Sequence, residues 1–316
     1  MVWPVMEGVM GKLVNGVWSI EGVANAPGGE FVRPDTVFRD RIEPGGRFAP
    51  EAGRYRLYVS LACPWAHRAL IFRVLKGLEQ TIELCVVHWL MDADGWNFAP
   101  GAGVVADPDG ARLLRDVYLR ADPHYTGRVT VPVLWDKRHN TIVNNESADI
   151  IRIFNDGFDS IGALPGDYYP AALRERIDAV NQRVYAGLNN GVYRAGFATT
   201  QAAYDIAVGG VFDTLDWAEG LLRDQPYLCG DVLTEADWRM FTSLVRFDLA
   251  YHGHFKCNLR RLVDYPALHG HTRRLAGIAG VAATIDVDHI KRHYHLSHPW
   301  LDPTGIVPAG PADPGW

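Results

Sequence analysis

Cysteine is scarce in this chain, with four residues, at 63, 85, 229 and 257, among 316. They show neither the paired spacing of a zinc site nor the density of a disulfide scaffold, so both are excluded and a reducing compartment is expected. An excess of cations is also missing. Lys and Arg number 31 against 37 Asp and Glu, a net charge of −6, which leaves no broad basic field for nucleic acid or an anionic membrane and turns attention to a small-molecule substrate. No apolar run reaches the roughly eighteen residues of a membrane-spanning helix. The opening Met1-Val2-Trp3-Pro4-Val5-Met6-Glu7 lacks a basic segment followed by an apolar core, so a secretory signal is not expected and a cytoplasmic location is. No repeat at solenoid periods is found. What remains is a chain that is 48% hydrophobic over 316 residues, enough for about two ordinary domains.

The most informative stretch is Tyr58-Val59-Ser60-Leu61-Ala62-Cys63-Pro64-Trp65-Ala66-His67-Arg68. A β-run ends at Ser60 and a helix-forming run opens at Trp65, with Cys63 and Pro64 at the junction. Proline suits the first helical position because its missing N–H would have no partner there. Cys63 then takes the N-cap position, where unpaired first-turn N–H groups favour negative charge and can lower a thiol from about 8.5 into roughly the 3.5–7.5 range. Cys85, inside Ile82-Glu83-Leu84-Cys85-Val86-Val87, fits the commoner role of a small buried hydrophobe. Ala66 stands where a dithiol motif would carry its second cysteine, so Cys63 is expected to act as a monothiol.

Around this junction the chain divides into regions. Residues 1–52 are rich in Gly, Pro and scattered aromatics without a sustained period. They are expected to be an irregular extension docked through Trp18, Phe31, Phe38 and Phe48. A domain over 53–160 follows, with strands at 54–60 and 81–88 around a helix at 65–78. A long loop from Met91 to about Ala111 carries Trp96 and precedes a short helix at 112–121. The runs 130–136 and 141–144 read as a hairpin, and a helix at 146–155 closes the order β-α-β-(α)-β-β-α. A linker is expected at 161–169. The rest, 170–296, has helical periods only, at 171–188, 200–224, 234–250 and 265–276. Within it Thr234-Glu235-Ala236-Asp237 is a helix-start signature in which Thr234 and Asp237 satisfy orphan N–H groups, a structural role. The tail 297–316, with five prolines and three glycines, should be extended.

Pro132 within Val131-Pro132-Val133 is anomalous in a strand, since proline cannot donate to a central ladder, and a cis peptide at the strand start would resolve it. His252 with His254, and His289 with His293, invite a zinc reading. No glutamate follows His289 and no third ligand stands at a fitting spacing, so no metal is expected and a structural or substrate-lining role is preferred.

Cys63 at a helix start, a proline at a strand start, the β-α-β-β-β-α order and a helical second half resemble a glutathione transferase. That resemblance implies a thioredoxin-like α/β domain followed by an all-α bundle. More narrowly, Cys-Pro-Trp-Ala-His-Arg at 63–68, Thr130-Val131-Pro132-Val133-Leu134-Trp135-Asp136, Ile142-Val143-Asn144-Asn145-Glu146-Ser147, His254-Phe255-Lys256-Cys257-Asn258 and Asp288-His289-Ile290-Lys291-Arg292-His293-Tyr294 resemble the glutathionyl-hydroquinone reductases, or Xi-class glutathione transferases. The resemblance implies glutathione as co-substrate, its sulfur beside Cys63 and its peptide backbone against Val131. Its γ-glutamyl end would be held by Glu146 and Ser147, with Trp96 and Arg128 nearby. A carboxylate can pair the ammonium there, while a hydroxyl and helix N-terminal N–H groups take the carboxylate.

The family also implies Tyr193, Tyr251 and Tyr294 around an aromatic acceptor, since a phenol can stack beside a ring and hydrogen-bond its oxygen. The implied partners are glutathionylated aromatic quinols, and the implied assembly is a homodimer. Two other readings stand beside this one. One is a thiol transferase or dehydroascorbate reductase of omega type using the same cysteine; the other is a non-catalytic glutathione-binding interaction module. A conventional conjugating transferase fits less well, because a protein cysteine would capture glutathione as a disulfide.

Overall fold

A computed structural model of the chain describes residues 9–22 and 25–316. They cluster into two compact units. The first comprises Pro34–Gly166 and Thr284–Val307 with the described part of Met1–Val23; the second comprises Asp167–Ala283 and Pro308–Trp316 with the described part of Ala24–Arg33.

The first unit opens with a hairpin of β1 (Val9–Val14) and β2 (Val17–Gly22), in which Val14 pairs with Val17. Both turn residues have positive φ, Asn15 at 49° and Gly16 at 78°. Asn-Gly adopts that conformation at little cost, and its twist matches the flanking strands. The chain then runs through β3 (Tyr55–Val59), α1 (Pro64–Leu75), β4 (Ile82–Val86), α2 (Leu114–Ala121), β5 (Gly127–Arg128), β6 (Val133–Asp136), β7 (Thr141–Asn144) and α3 (Ser147–Asp156). Four strands form one sheet in the order β4-β3-β6-β7. β3 is parallel to β4 and antiparallel to β6, and β6 is antiparallel to β7. A second sheet, β2-β1-β5, ties the hairpin to the residues just before Val131.

β3 is buried along its whole length and holds the centre of the four-stranded sheet, while α1 packs on α3. Two arginines on this strand region need partners, because a buried charge is costly unless it is paired. Arg54 forms a two-pronged pair with Asp136 of β6 at 2.8 and 2.7 Å. Arg56 reaches Asp107 at 2.9 Å, Asp109 at 2.6 Å and Glu83 at 3.0 Å.

The second unit is helical: α4 (Arg174–Val184), α5 (Gly191–Gly196), α6 (Gln201–Asp224), α7 (Glu235–Arg246) and α8 (Pro266–Ala276). Thr200 caps α6 by accepting from Ala203 N at 3.2 Å. At α7, Asp237 accepts from the backbone N–H groups of Leu228 at 2.8 Å and Thr234 at 3.0 Å. Asp237 thus satisfies N–H groups at the helix start, while the Thr234 hydroxyl donates to its Oδ2 at 3.2 Å. Wide π-helical turns follow α4 at Tyr185–Asn189 and α7 at Phe247–Tyr251. Asn189 joins the first turn to α7 through Ser243 Oγ at 2.7 Å and the Arg239 carbonyl at 2.9 Å.

Three expectations change. Residues 9–22 form a hairpin rather than irregular chain, whereas the start of that extension, 1–8, lies outside the described residues. The helical runs expected to reach 188 and 250 leave the α-helix at Val184 and Arg246. α9 (Val287–Leu296), expected in the helical half, clusters with the first unit. The expected docking aromatics of the extension do pack: Phe48 edge-on to His139, Phe38 stacked on Tyr125, Phe31 against Phe197, and Trp18 bonded through its indole N–H to the Ala93 carbonyl.

Candidate functional site

Cys63 occupies the N-cap of α1 in extended conformation, φ −79° and ψ 122°, with Pro64 as the first helical residue. Its carbonyl accepts from His67 N at 3.0 Å, closing the first turn. Its sulfur lies 3.7 Å from the Val131 carbonyl oxygen, to which the thiol donates. None of the four cysteines is in a disulfide, and Cys63 alone is partly exposed. Burial pushes the thiols of Cys85 and Cys257 up to about 12 and also raises Cys229, which keeps them protonated and unreactive.

The Val131-Pro132 peptide is cis, as expected, and lies directly before β6. Across the sheet β7 delivers Asn144, Asn145, Glu146 and Ser147 to the start of α3. Asn144 Oδ1 accepts from Glu146 N at 2.7 Å, shaping the turn, and Glu146 Oε1 caps the helix by accepting from Ala148 N at 3.1 Å. The buried Ser147 hydroxyl donates to Glu146 Oε1 and accepts from Arg68 Nη1, both at 3.4 Å. Thr36 donates to the other Glu146 oxygen at 3.3 Å. A carboxylate, a hydroxyl and the N-terminus of a ten-residue helix therefore meet at one point. That set suits a ligand end bearing both an ammonium and a carboxylate.

The other expected residues fall as follows. Trp96, buried on the long loop, stacks on His293 at 4.9 Å between ring centres. Arg128 lies on β5 and donates to the Gly11 carbonyl of β1 at 3.2 Å. Tyr193 and Tyr251 come together in the second unit, their ring centres 6.2 Å apart, around Phe255 at 5.3 and 5.6 Å. Gly196 makes that packing possible, since a Cβ there would fall 2.1 Å from the Phe255 ring. Tyr294 sits on α9 of the first unit, beside His293 and His298.

The paired histidines of α9 do not converge. His289 Nε2 meets the Ala102 carbonyl at 2.7 Å and His293 Nδ1 the Trp89 carbonyl at 2.9 Å, so both anchor the loop that carries Trp96.

Sequence reasoning missed Arg68 and Thr36, which bond to the Glu146-Ser147 helix start. Arg68 lies inside the Cys63 motif, one turn on and buried beneath Ser147. Its place four residues after Pro64, on the same helix face, was the available signal. Thr36 had none, being an ordinary loop residue.

The glutathione S-transferase N-terminal domain model matches residues 62–156, and the C-terminal domain model matches 201–274. The glutathionyl-hydroquinone reductase PcpF of Sphingobium chlorophenolicum is 56% identical over 307 residues, covering 96% of this chain and 97% of the relative. The crystal structure of the Xi glutathione transferase from Phanerochaete chrysosporium superposes with a TM-score of 0.90 at 49% identity, over 92% of this chain and 96% of that one. The glutathione-bound structure of YqjG, a glutathione transferase homologue from Escherichia coli K-12, gives 0.88 at 48% identity over 97% of both chains. Full-length similarity of this degree, on a thioredoxin-like sheet with Cys63 at the helix start and a helical second unit, means that the chain belongs to the glutathionyl-hydroquinone reductases, the Xi class of the glutathione S-transferase family.

Proposed function

We propose that this protein reduces glutathionyl-hydroquinones to hydroquinones with glutathione, working as a monothiol through Cys63. The observation that carries the reading is the partly exposed Cys63 thiol at the N-cap of α1, 3.7 Å from the Val131 carbonyl, while the other three thiols are buried. The similarity to PcpF supports the quinol substrate, and the similarity to glutathione-bound YqjG supports the co-substrate.

In this reading the Cys63 thiolate attacks the sulfur of the thioether. The carbon–sulfur bond breaks, a sulfur–sulfur bond forms, and the ring carbon takes up a proton, so the ring is reduced by two electrons as the two sulfurs are oxidised. The helix start at Cys63 stabilises the thiolate before attack and after release. With Ala66 in place of a second thiol, a glutathione thiolate resolves the mixed disulfide, glutathione disulfide leaves and the Cys63 thiolate returns. Glu146 and Ser147 bind the γ-glutamyl end, Val131 the peptide backbone, and Trp96 and Arg128 the remainder. Tyr193, Tyr251 and Tyr294 serve the quinol, donating to the ring oxygen on which charge develops. The thiol inventory accords with a cytoplasmic protein, and the family pattern with a homodimer.

The test is a comparison of kcat/KM on a glutathionyl-hydroquinone, a simple glutathione mixed disulfide and dehydroascorbate. The reading expects the first to be preferred, with ping-pong kinetics. Faster turnover of the other two would instead make the protein an omega-type thiol transferase.

A further inference from the structure

Tyr118 on α2 is fully buried, and its hydroxyl joins two separate segments of the glutathione site. It donates to the Thr130 carbonyl at 2.8 Å and accepts from Thr130 N at 3.3 Å, one residue before Val131. It also accepts from Asn145 Nδ2 at 3.2 Å, one residue before Glu146. Asn145 is held in turn from its other side, where its Oδ1 accepts from Phe38 N at 3.2 Å and its own N–H donates to the Phe38 carbonyl at 3.1 Å. We infer that Tyr118 is a positioning residue for glutathione: its hydroxyl fixes the distance between the Val131 backbone and the Glu146-Ser147 helix start, so that one tripeptide can bridge both.

The physical reason is economy of ordering. A flexible tripeptide binds well only when its two contact points are held at matching separation beforehand. β6 and β7 are directly paired, but a register shift between Leu134 and Trp135 interrupts that ladder near the end where both segments emerge. The phenol supplies the missing cross-link there. Burial pushes the Tyr118 phenol up from its ordinary value, so the proton stays available to the Thr130 carbonyl. Ring packing against Phe38 and Tyr125, at 6.1 and 5.0 Å, fixes the rotamer from which the hydroxyl reaches both partners.

The inference rests on the glutathione site proposed above, and Tyr118→Phe tests it. The ring and its packing remain while the cross-link is lost. The KM for the glutathionyl-hydroquinone, whose glutathionyl group fills that site, and the glutathione Kd by calorimetry on the full chain should each rise about five- to tenfold, the worth of roughly one hydrogen bond. The kcat at saturating glutathione should stay within about twofold, since Tyr118 touches no reacting atom. Asn145→Ala should raise KM in the same direction, and by less in the Tyr118→Phe background than in the wild type, because both remove the same link.

A role in fold stability alone would lower the melting temperature and the active fraction with KM unchanged, and that result overturns the inference. So does strict additivity of the two substitutions. Wild-type protein that binds no glutathione in the same titration overturns the functional reading and this inference together, whereas wild-type binding with an unaltered Tyr118→Phe Kd overturns this inference alone.

Discussion

Replacing Asp136 by Asn should cost the first unit several kcal/mol, with a pH dependence that identifies the cause. Asp136 ends β6, the strand that follows Val131-Pro132, and its side chain is fully buried with both oxygens on Arg54, itself 3% exposed. Burial alone would raise the carboxyl, but the Arg54 guanidinium, with help from His139, outweighs it and holds the group down at about 2 against an ordinary 3.8. A depression of that size corresponds to about 2 kcal/mol of stability. Because the folded value is the lower one, this stability is present above about pH 4 and is lost as the pH falls toward about 2. Asp136→Asn should cost more, about 3–5 kcal/mol, since the amide turns an N–H donor onto the buried Arg54 guanidinium and leaves it only the half-exposed Glu51 at 3.8 Å as counter-ion, whereas the protonated carboxyl keeps both oxygens there. Urea unfolding followed by circular dichroism at several pH values measures both. The midpoint should fall at pH 7 with the slope unchanged, and the gap between wild type and variant should narrow below about pH 4. A loss under about 1 kcal/mol at pH 7, or a gap independent of pH, would refute the reasoning.

Two further substitutions probe the other elements. Asp237→Ala in the second unit strands the buried N–H groups of Leu228 and Thr234 at about 1–3 kcal/mol each, and should lower the melting temperature, whereas Asp237→Asn, which keeps an acceptor oxygen, should lower it less. Ser147→Ala removes the hydroxyl between Glu146 and Arg68. By the worth of a charge-assisted hydrogen bond it should weaken glutathione binding by about ten- to a hundredfold in a calorimetric titration, and an unchanged affinity would remove Ser147 from the binding site.

The parts of the site that were legible in the sequence are those fixed by local chemistry. Cys63-Pro64 marks a helix start because proline's missing donor is harmless only there. Pro132 betrayed an unusual strand entry for the same reason, and Thr234 with Asp237 a cap. The hairpin at 9–22 was missed, although Asn15-Gly16 between valines is a strong short turn signal. The glycine- and proline-rich stretch around it concealed that signal. What could not be read is tertiary. Nothing in the periodicity of α9 says that His289 and His293 will hold the Trp96 loop, which is what draws that helix to the first unit. Likewise Tyr118 occupies an ordinary apolar helix position, and its hydroxyl acquires meaning only when the strand pairing brings residues 130 and 145 beside it.

Intact-protein mass spectrometry of the reaction between this protein and one equivalent of a glutathionyl-hydroquinone, without free glutathione, tests the central claim most directly. The wild type should gain the mass of a single glutathione, located on Cys63, as one hydroquinone is released, and the adduct should vanish when glutathione is added. Cys63→Ser should gain nothing and release nothing. Hydroquinone release without an adduct, or undiminished turnover by Cys63→Ala, would contradict it.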